Sequence, residues 1–349
     1  MTTTRRRGLL LLVALALAFV ALRGVAAGRL RGGAKSEPVR QLDPHGIALE
    51  GSCAVDTSQE SPAAVFDAVY ARGFRPVPEW ETVKPFDVRR DRAGDVIITE
   101  EMVAHYYKWE NIGTRFSLSG GGSEPAAAAR GLAFLDRVIE EYGIRSVLDA
   151  PCGDVNWQTL SPRVDRLDAF AGLDVAAFPI ELSRARFSHH SNKVFAQWDF
   201  GGCPFPRWRR VGETGSPTPF DLIHMRDVIQ HMPMQVRYST RCLAVSPPPP
   251  HTPTTTPLQV SLRAIQHVVA SGAKYLVTTT WQGKQYVNKD DRKSDAFYEN
   301  NLAAEPFNFP TPLLCVRSHA PGQEEDHTCL YDVAQVSVVA SRYAIEDEA

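Results

Sequence analysis

The chain has 349 residues and a formal net charge of −2, and 44% of its residues are hydrophobic. This length and composition predict one domain with a complete hydrophobic core, together with additional segments outside it. The small net charge gives no electrostatic footprint for nucleic acid, since the only basic run lies at the amino terminus. The histidines show no HxH or HExxH spacing and the cysteines no CxxC spacing, so no metal site is expected.

The amino terminus has the pattern of a targeting segment. Arg5, Arg6 and Arg7 precede an apolar run that extends to Leu22. We interpret residues 1–31 as a signal peptide or an uncleaved signal anchor, with an organelle transit peptide as the alternative. Either of the first two predicts attachment to a membrane or entry into the secretory pathway, with the remainder of the chain on the lumenal side.

The rest of the chain divides by composition. Residues 32–98 are interpreted as a linker and an N-terminal extension, and residues 99–345 as the main domain. An amphipathic helix is predicted over Ala126–Tyr142, and Gly143 has the position of a C-cap. Residues 239–257 form a Pro- and Thr-rich tract, which we expect to be an insertion outside the core.

After residue 145, apolar strand-like runs alternate with helical segments, which is typical of a parallel sheet. The last two predicted strands are joined by a polar loop and predict a terminal antiparallel hairpin. Cys315 and Cys329 on this hairpin could form a disulfide in an oxidising compartment. The predicted strands are Ser146–Asp149, Ala169–Leu173, Lys193–Gln197, Phe220–His224, Lys274–Thr280, Pro312–Ser318 and Cys329–Val338.

The first of these strands ends in a sharp turn with an acid on each side. Asp149 closes the strand, Gly153 lies in the turn, and Asp154 follows it. Ligands of open α/β sheets bind at the carboxyl ends of the strands. Two carboxylates argue against a pyrophosphate, which is held by glycines and backbone N–H groups. The turn instead favours a ligand that carries an ammonium group and a second positive centre.

Several motifs in chain order make the region from about Trp109 to Ser341 resemble class I S-adenosylmethionine-dependent methyltransferases. Within that class it is most similar to methyltransferase-domain proteins with the core DAPCGD-x-NW. The resemblance implies an α/β, Rossmann-like, doubly wound sheet of seven strands and S-adenosylmethionine as the cofactor. The motifs are GGGS at Gly120–Ser123, DAPCGDVNW at Asp149–Trp157, GLDV at Gly172–Val175, WDF at Trp198–Phe200, RDVIQHMP at Arg226–Pro233, KYLVTTTW at Lys274–Trp281 and PFNFPTPL at Pro306–Leu313.

The resemblance also implies roles for single residues. Asp149 and Asp154 would lie by the ammonium and sulfonium groups, where fixed negative charge is favourable. Asp174 would accept hydrogen bonds from the ribose hydroxyls, and Asp199 from the adenine amino group. The predicted cofactor-binding residues are Gly122, Ser123, Asp149, Cys152, Gly153, Asp154, Trp157, Asp174, Asp199, Phe200 and Arg226.

The predicted catalytic residues are Asp227 and His231, which share one face if a helix begins there. His231 would take a proton from the acceptor, or alternatively pack beneath the cofactor. Trp281, Asn301 and Pro306–Pro310 are either acceptor-pocket residues or packing. We expect methyl transfer to an oxygen or nitrogen of a small-molecule, lipid or glycan acceptor. The alternative is a catalytically silent, membrane-tethered binding module on the same fold.

Overall fold

A computed structural model describes most of the main domain and part of the N-terminal extension. The predicted targeting segment and the tract from residue 239 to residue 256 lie outside the described residues. No helix among the residues that are described is long and apolar enough to cross a bilayer. The described residues are 46–57, 63, 64, 66, 67, 70, 117, 119, 121–123, 125–231, 257–288, 299–318 and 326–340.

Helices and strands alternate along the main domain, and one strand precedes it. The strands are β1 (Ile47–Glu50), β2 (Ser146–Asp149), β3 (Ala169–Asp174), β4 (Lys193–Gln197), β5 (Arg207–Arg210), β6 (Leu222–Met225), β7 (Tyr275–Trp281), β8 (Leu314–Arg317) and β9 (Asp326–Asp332). The helices are α1 (Pro125–Glu141), α2 (Ala177–Arg186), α3 (Pro257–Ser271) and α4 (Val333–Ala340). The described residues between 63 and 70 are also helical.

The main sheet has seven strands in the order β4-β3-β2-β6-β7-β9-β8. The pairs β4–β3, β3–β2, β2–β6 and β6–β7 are parallel, whereas β9 is antiparallel to both β7 and β8. This confirms the predicted Rossmann-like, doubly wound sheet with a terminal antiparallel hairpin. The strand order reverses between β2 and β6, so the crevice at their carboxyl ends is the expected ligand position.

The central strands are buried on both faces because helices cover both sides of the sheet. All residues of β2 and β3 are buried. Successive side chains of a strand point to opposite faces, so Val147 and Leu148 of β2 enter different hydrophobic clusters. Val147 packs in the cluster that contains Val138 of α1, and Leu148 in the cluster that contains Val268 of α3. This double burial explains why the strands are continuous apolar runs.

Most predicted elements agree with the structure to within one or two residues. Helix α1 occupies the predicted position, and Gly143 adopts the left-handed conformation of a C-cap, with φ of 62°. The strand predicted over Cys329–Val338 is wrong in its second half, because α4 begins at Val333. The valines have high β propensity and therefore favoured a strand. In the structure the Asp332 carboxylate accepts the N–H of Ala334 at 2.8 Å, as an N-cap does, and the helix buries Val336 completely.

Residues 46–57 pack against the main domain. Strand β1 pairs antiparallel with β5, and neither strand was predicted from the sequence. A disulfide joins Cys53 to Cys203 across a sequence separation of 150 residues. A second disulfide joins Cys315 to Cys329, which are direct cross-strand partners on β8 and β9 with Cα atoms 4.2 Å apart.

Candidate functional site

The turn after β2, residues 150–155, lies at the point where the strand order reverses. Gly153 has φ of 56° and Val155 has φ of 53°, so both adopt the left-handed conformation. The N–H of Gly153 donates to Asp174 Oδ2 at 3.0 Å, and the N–H of Cys152 donates to the Leu173 carbonyl at 2.8 Å. The β2 turn is therefore folded against the carboxyl end of β3. This brings together Gly153 and Asp174, two residues that the sequence assigned to one site.

Asp154 is held by a pair of serines just before the GGGS motif. The Ser117 hydroxyl donates to the Asp154 carboxylate at 2.9 and 3.1 Å, and the Ser119 hydroxyl donates to it at 3.0 Å. The N–H of Asp154 in turn donates to Ser119 Oγ at 3.0 Å. A Cβ atom at Gly153 would collide with Ser119, so only glycine fits at this close approach.

Asp174 is a buried carboxylate at the end of β3. Its Oδ2 accepts the N–H of Gly153 and its Oδ1 accepts the N–H of Ala176 at 2.9 Å. Burial raises the pKa of Asp174 to about 7, and the nearby carboxylates of Asp67 and Asp149 act in the same direction. The two backbone N–H groups oppose this rise in pKa. Asp174 can therefore change its charge near neutral pH.

The N-terminal extension contributes residues that sequence reasoning missed. Asp67 is buried, and its Oδ1 accepts the N–H of Phe178 in the first turn of α2 at 2.8 Å. Ala176 at the N-cap of α2 makes no side-chain cap, so Asp67 supplies this function from 111 residues away. Tyr70 OH lies 3.5 Å from Ser119 Oγ. These contacts place the described helical residues beside the β2 turn and the start of α2.

Asp149 occupies a buried network that links β2 to β6. Its Oδ1 lies 2.6 Å from His224 Nδ1, and its Oδ2 accepts Gln158 Nε2 at 2.7 Å. The side chains of Asp149 and His224 are each 2% exposed. The ring of His224 meets Trp157 edge-on, with centroids 5.6 Å apart. Because protein groups engage both Asp149 oxygens, its contacts are those of a residue that positions the turn and the neighbouring strand.

Arg226 connects the GGGS region to the end of β6. Its guanidinium lies 5.2 Å from the ring centroid of Trp157. Its Nη2 donates to the Gly122 carbonyl at 3.2 Å and lies 3.1 Å from Asp227 Oδ2. Its Nε is buried and has no hydrogen-bond partner among the described residues. Arg226 thus contacts Gly122, Trp157 and Asp227.

Asp227 is fixed by neighbours from β7 and from the following turn. It has φ of 54°, and its N–H donates to Thr279 Oγ1 at 3.0 Å. Its Oδ1 accepts the Thr279 hydroxyl at 3.1 Å and Gln230 Nε2 at 3.0 Å. His231 ends a 3-10 turn that begins at Ile229. The predicted helix does not begin at Asp227, so the four-residue spacing does not place Asp227 and His231 on one face. The His231 side chain lies outside the described part of the structure.

Asp199 follows β4 at the far side of β3. Its Oδ1 accepts the N–H groups of Gly201 at 3.0 Å and Gly202 at 3.1 Å, and burial raises its pKa. Phe200 is buried and stacks on Phe205 with ring centroids 6.0 Å apart. Phe200 therefore packs in the core, whereas Asp199 presents a carboxylate at the carboxyl end of the sheet.

Two further predicted residues have different environments. Cys152 is fully buried, and burial raises the pKa of its thiol, as expected for an unreactive packing cysteine. It lies against Gly172, where a Cβ atom would come within 2.9 Å of its sulfur. Ser123 is half-buried at the end of a 3-10 turn that includes Gly122.

The residues proposed for the acceptor pocket are largely engaged in packing. Trp281 and Phe309 are buried, and Phe309 meets Tyr331 edge-on at 5.1 Å. Asn301 Nδ2 donates to the carbonyls of Gly283 at 3.2 Å and Tyr286 at 3.3 Å, which braces the loop after β7. These contacts favour the packing interpretation over a direct role at the acceptor.

No family model and no curated protein sequence matches the chain. Among solved structures, it is similar to magnesium protoporphyrin IX methyltransferase from Synechocystis PCC 6803 with bound SAH, with a TM-score of 0.38 and 10% identity, over 65% of this chain and 93% of that chain. It is also similar to the N-methyltransferase NodS from Bradyrhizobium japonicum WM9 in complex with SAH, with a TM-score of 0.37 and 15% identity, over 59% of this chain and 87% of that chain. These values are too low to support a statement about activity or ligand.

The class of fold follows from the sheet itself. The strand order, with its reversal between β2 and β6 and its antiparallel β9, is that of a Rossmann-like, doubly wound sheet with a terminal antiparallel hairpin. A fold of this kind does not define a reaction, so any activity has to be argued from the site.

Proposed function

We propose that the protein is an S-adenosylmethionine-dependent methyltransferase that acts on an oxygen or nitrogen acceptor. The observation that carries this proposal is the contact between the β2 turn and β3, where the Gly153 N–H donates to the buried Asp174 carboxylate. The contact joins two acid-bearing strand ends beside the reversal of the sheet. S-adenosylmethionine, when bound, supplies a methyl group attached to a positively charged sulfur.

The residues at the β2 turn fit this cofactor better than a dinucleotide. Asp154 and Asp174 are both buried acids, and in their ionised form their negative charge favours a cation and disfavours a pyrophosphate. Each Asp174 oxygen accepts one backbone N–H, which leaves lone pairs for further donors such as the hydroxyls of a ribose. Asp154, whose oxygens are held by Ser117 and Ser119, would supply negative charge beside the ammonium group, whereas Asp174 would bind the ribose and Asp199 the adenine amino group.

The acceptor side is assigned to the end of β6. Asp227 is held by Thr279 and Gln230, so its carboxylate is fixed before any acceptor arrives. An oxygen or nitrogen acceptor loses a proton as it is methylated, and Asp227 or His231 would take that proton. Arg226 holds Asp227 and Gly122 together, so it would orient the acceptor side relative to the β2 turn.

A ligand panel tests the class of cofactor. S-adenosylhomocysteine, NAD⁺ and ATP would be added separately to the purified protein, and the unfolding temperature measured by differential scanning fluorimetry. A ligand at about 100 times its Kd stabilises the folded state by about 2.7 kcal/mol. We expect stabilisation by S-adenosylhomocysteine alone. Stabilisation by NAD⁺ without an effect of S-adenosylhomocysteine would refute the proposal.

Transfer distinguishes the enzyme from a silent binding module. Cell extract would be separated into small-molecule, lipid and glycan fractions and incubated with methyl-labelled S-adenosylmethionine and the protein. Label in one fraction identifies the acceptor class, and Asp227→Asn should abolish most of that transfer. Cofactor binding without transfer to any fraction supports the catalytically silent binding module instead.

A further inference from the structure

Cys53 and Cys203 join the N-terminal extension to the loop that follows β4. Their Cα atoms lie 5.7 Å apart, within the range of a disulfide. Cys53 follows β1, and Cys203 lies four residues beyond Asp199. The bond therefore connects two parts of the chain that are separated by 150 positions.

Each of these two cysteines makes a hydrogen bond with the backbone of Asp199. The N–H of Asp199 donates to Cys53 Sγ at 3.3 Å, and the Asp199 carbonyl accepts the N–H of Cys203 at 2.7 Å. The Asp199 carboxylate is in turn held by the N–H groups of Gly201 and Gly202. The position of this carboxylate consequently depends on a short loop whose end is fixed by the disulfide.

The other contacts of β1 are non-covalent: Ile47 is buried in the core cluster that contains Trp198, and its N–H donates to the Ser191 carbonyl at 3.1 Å. β1 forms only a two-stranded sheet with β5, and isolated two-stranded sheets are marginally stable. The ion pair between Arg209 and Glu50 at 2.6 Å is partly exposed, and such pairs contribute little. The Cys53–Cys203 bond adds a covalent connection between the segment that follows β1 and the Asp199 loop.

We propose that the Cys53–Cys203 disulfide fixes Asp199 for adenine binding, and that the chain matures in an oxidising compartment. The assignment of Asp199 to adenine rests on the proposed function. The two thiols lose two electrons and two protons to a disulfide-bearing oxidant, which leaves as two thiols while the Cys53–Cys203 bond forms.

Two observations outside this loop support maturation of the chain in an oxidising compartment. Cys315 and Cys329 form a second disulfide, and such bonds persist mainly in secreted or lumenal proteins. The amino terminus has the basic and apolar pattern of a secretory signal. A lumenal methyltransferase would also require import of its cofactor.

The bond is tested by peptide mapping of the full chain expressed through a secretory pathway. Unreduced protein would be denatured, alkylated, digested and analysed by mass spectrometry. We expect a linked Cys53–Cys203 peptide and an alkylated Cys152, which is the free cysteine among the described residues. Recovery of Cys53 and Cys203 as separately alkylated peptides would overturn the proposal.

The effect on the site is tested by titration with S-adenosylhomocysteine. The double variant Cys53→Ala/Cys203→Ala should bind about tenfold more weakly than wild type. The matched control Cys315→Ala/Cys329→Ala removes the other disulfide and should bind within about twofold of wild type. If the first variant does not fold, wild-type protein treated with a mild reductant would be titrated instead, and it should also bind S-adenosylhomocysteine about tenfold more weakly.

The outcomes separate this inference from the proposed function. Equal affinity of wild type and the Cys53→Ala/Cys203→Ala variant means that the disulfide does not fix the adenine side. Absence of binding by wild type refutes the proposed function and, with it, the adenine role of the loop. The peptide map still decides whether the disulfide exists, because it does not depend on any ligand.

Discussion

Asp174 combines a buried carboxylate with two backbone N–H donors, and its value as a ligand depends on its charge. The ionised carboxylate only accepts hydrogen bonds, whereas the protonated form carries a hydroxyl that competes with a donor from the ligand. Since burial raises its pKa to about 7, a change of pH near neutrality changes what Asp174 can bind.

The affinity for S-adenosylhomocysteine should therefore depend on pH. Below the pKa of Asp174 the carboxyl is protonated, so the Kd should fall as the pH rises from about 6 to about 8, by up to about tenfold per pH unit. Asp174→Asn should bind more weakly and lose this dependence, because its amide does not titrate. Isothermal titration across this pH range measures both. A pH-independent Kd of the wild type would contradict the assigned role.

Asp149 and His224 form the second residue-scale feature, a buried pair 2.6 Å apart. Removing one partner of a buried pair leaves the other without compensation, so His224→Leu should lower the free energy of unfolding by about 3 kcal/mol. His224→Asn is the matched control, because its amide N–H can still donate to Asp149 and should recover much of the loss. Urea denaturation measures both variants. Equal losses for Leu and Asn would show that the hydrogen bond is unimportant.

At the scale of elements, the helical residues near position 67 are coupled to α2 and to Asp174. Asp67 accepts the N–H of Phe178 and raises the pKa of Asp174 through its charge. The first effect stabilises the start of α2, and the second tunes the site. One side chain from the N-terminal extension thus has a structural and an electrostatic effect.

Two substitutions separate these effects. Asp67→Ala removes the acceptor and should lower the free energy of unfolding by about 1–2 kcal/mol. Asp67→Asn keeps an acceptor oxygen but removes the charge, so stability should stay closer to that of wild type. The midpoint of the pH profile for S-adenosylhomocysteine binding should then move to lower pH. An unchanged midpoint in Asp67→Asn would exclude the electrostatic coupling.

Helix α4 shows how an element can be misassigned. The valines that follow Asp332 have high β propensity, and the hairpin partner β8 made a longer strand plausible. Tertiary packing outweighs this β propensity, because the helix buries Val333 and Val336 in the core cluster beside α3 residues such as Val268. Asp332 was the available local signal, since an Asp before an apolar segment is a preferred N-cap.

At the scale of the whole molecule, the sheet could be predicted because its strands are local apolar runs. Double burial gives each parallel strand its own signature, so Ser146–Asp149 and Lys193–Gln197 were predicted with their observed bounds. The acids at the ends of such strands are brought together by topology alone. The sequence therefore predicts that Asp174 and Gly153 lie at one edge of the sheet, and the hydrogen bond between them agrees with this.

The remaining site residues could not be predicted because their roles depend on distant segments. Asp67 caps a helix 111 residues away, and Ser117 and Ser119 bind an acid more than 30 residues away. Neither contact has a periodic or spacing pattern in the sequence. Asp149 was predicted at the end of its strand, but its contact with His224 was not, because His224 lies 75 residues further on, within another strand.

The central claim is that the acids at the β2 turn and the end of β3 bind S-adenosylmethionine, and calorimetric titration with S-adenosylhomocysteine tests it most directly. Wild type and Asp174→Ala would be compared at about pH 8, where Asp174 is ionised. The account predicts saturable, one-site binding by the wild type and a Kd at least about tenfold higher for Asp174→Ala. No binding by either protein, or equal affinity of both, would contradict it.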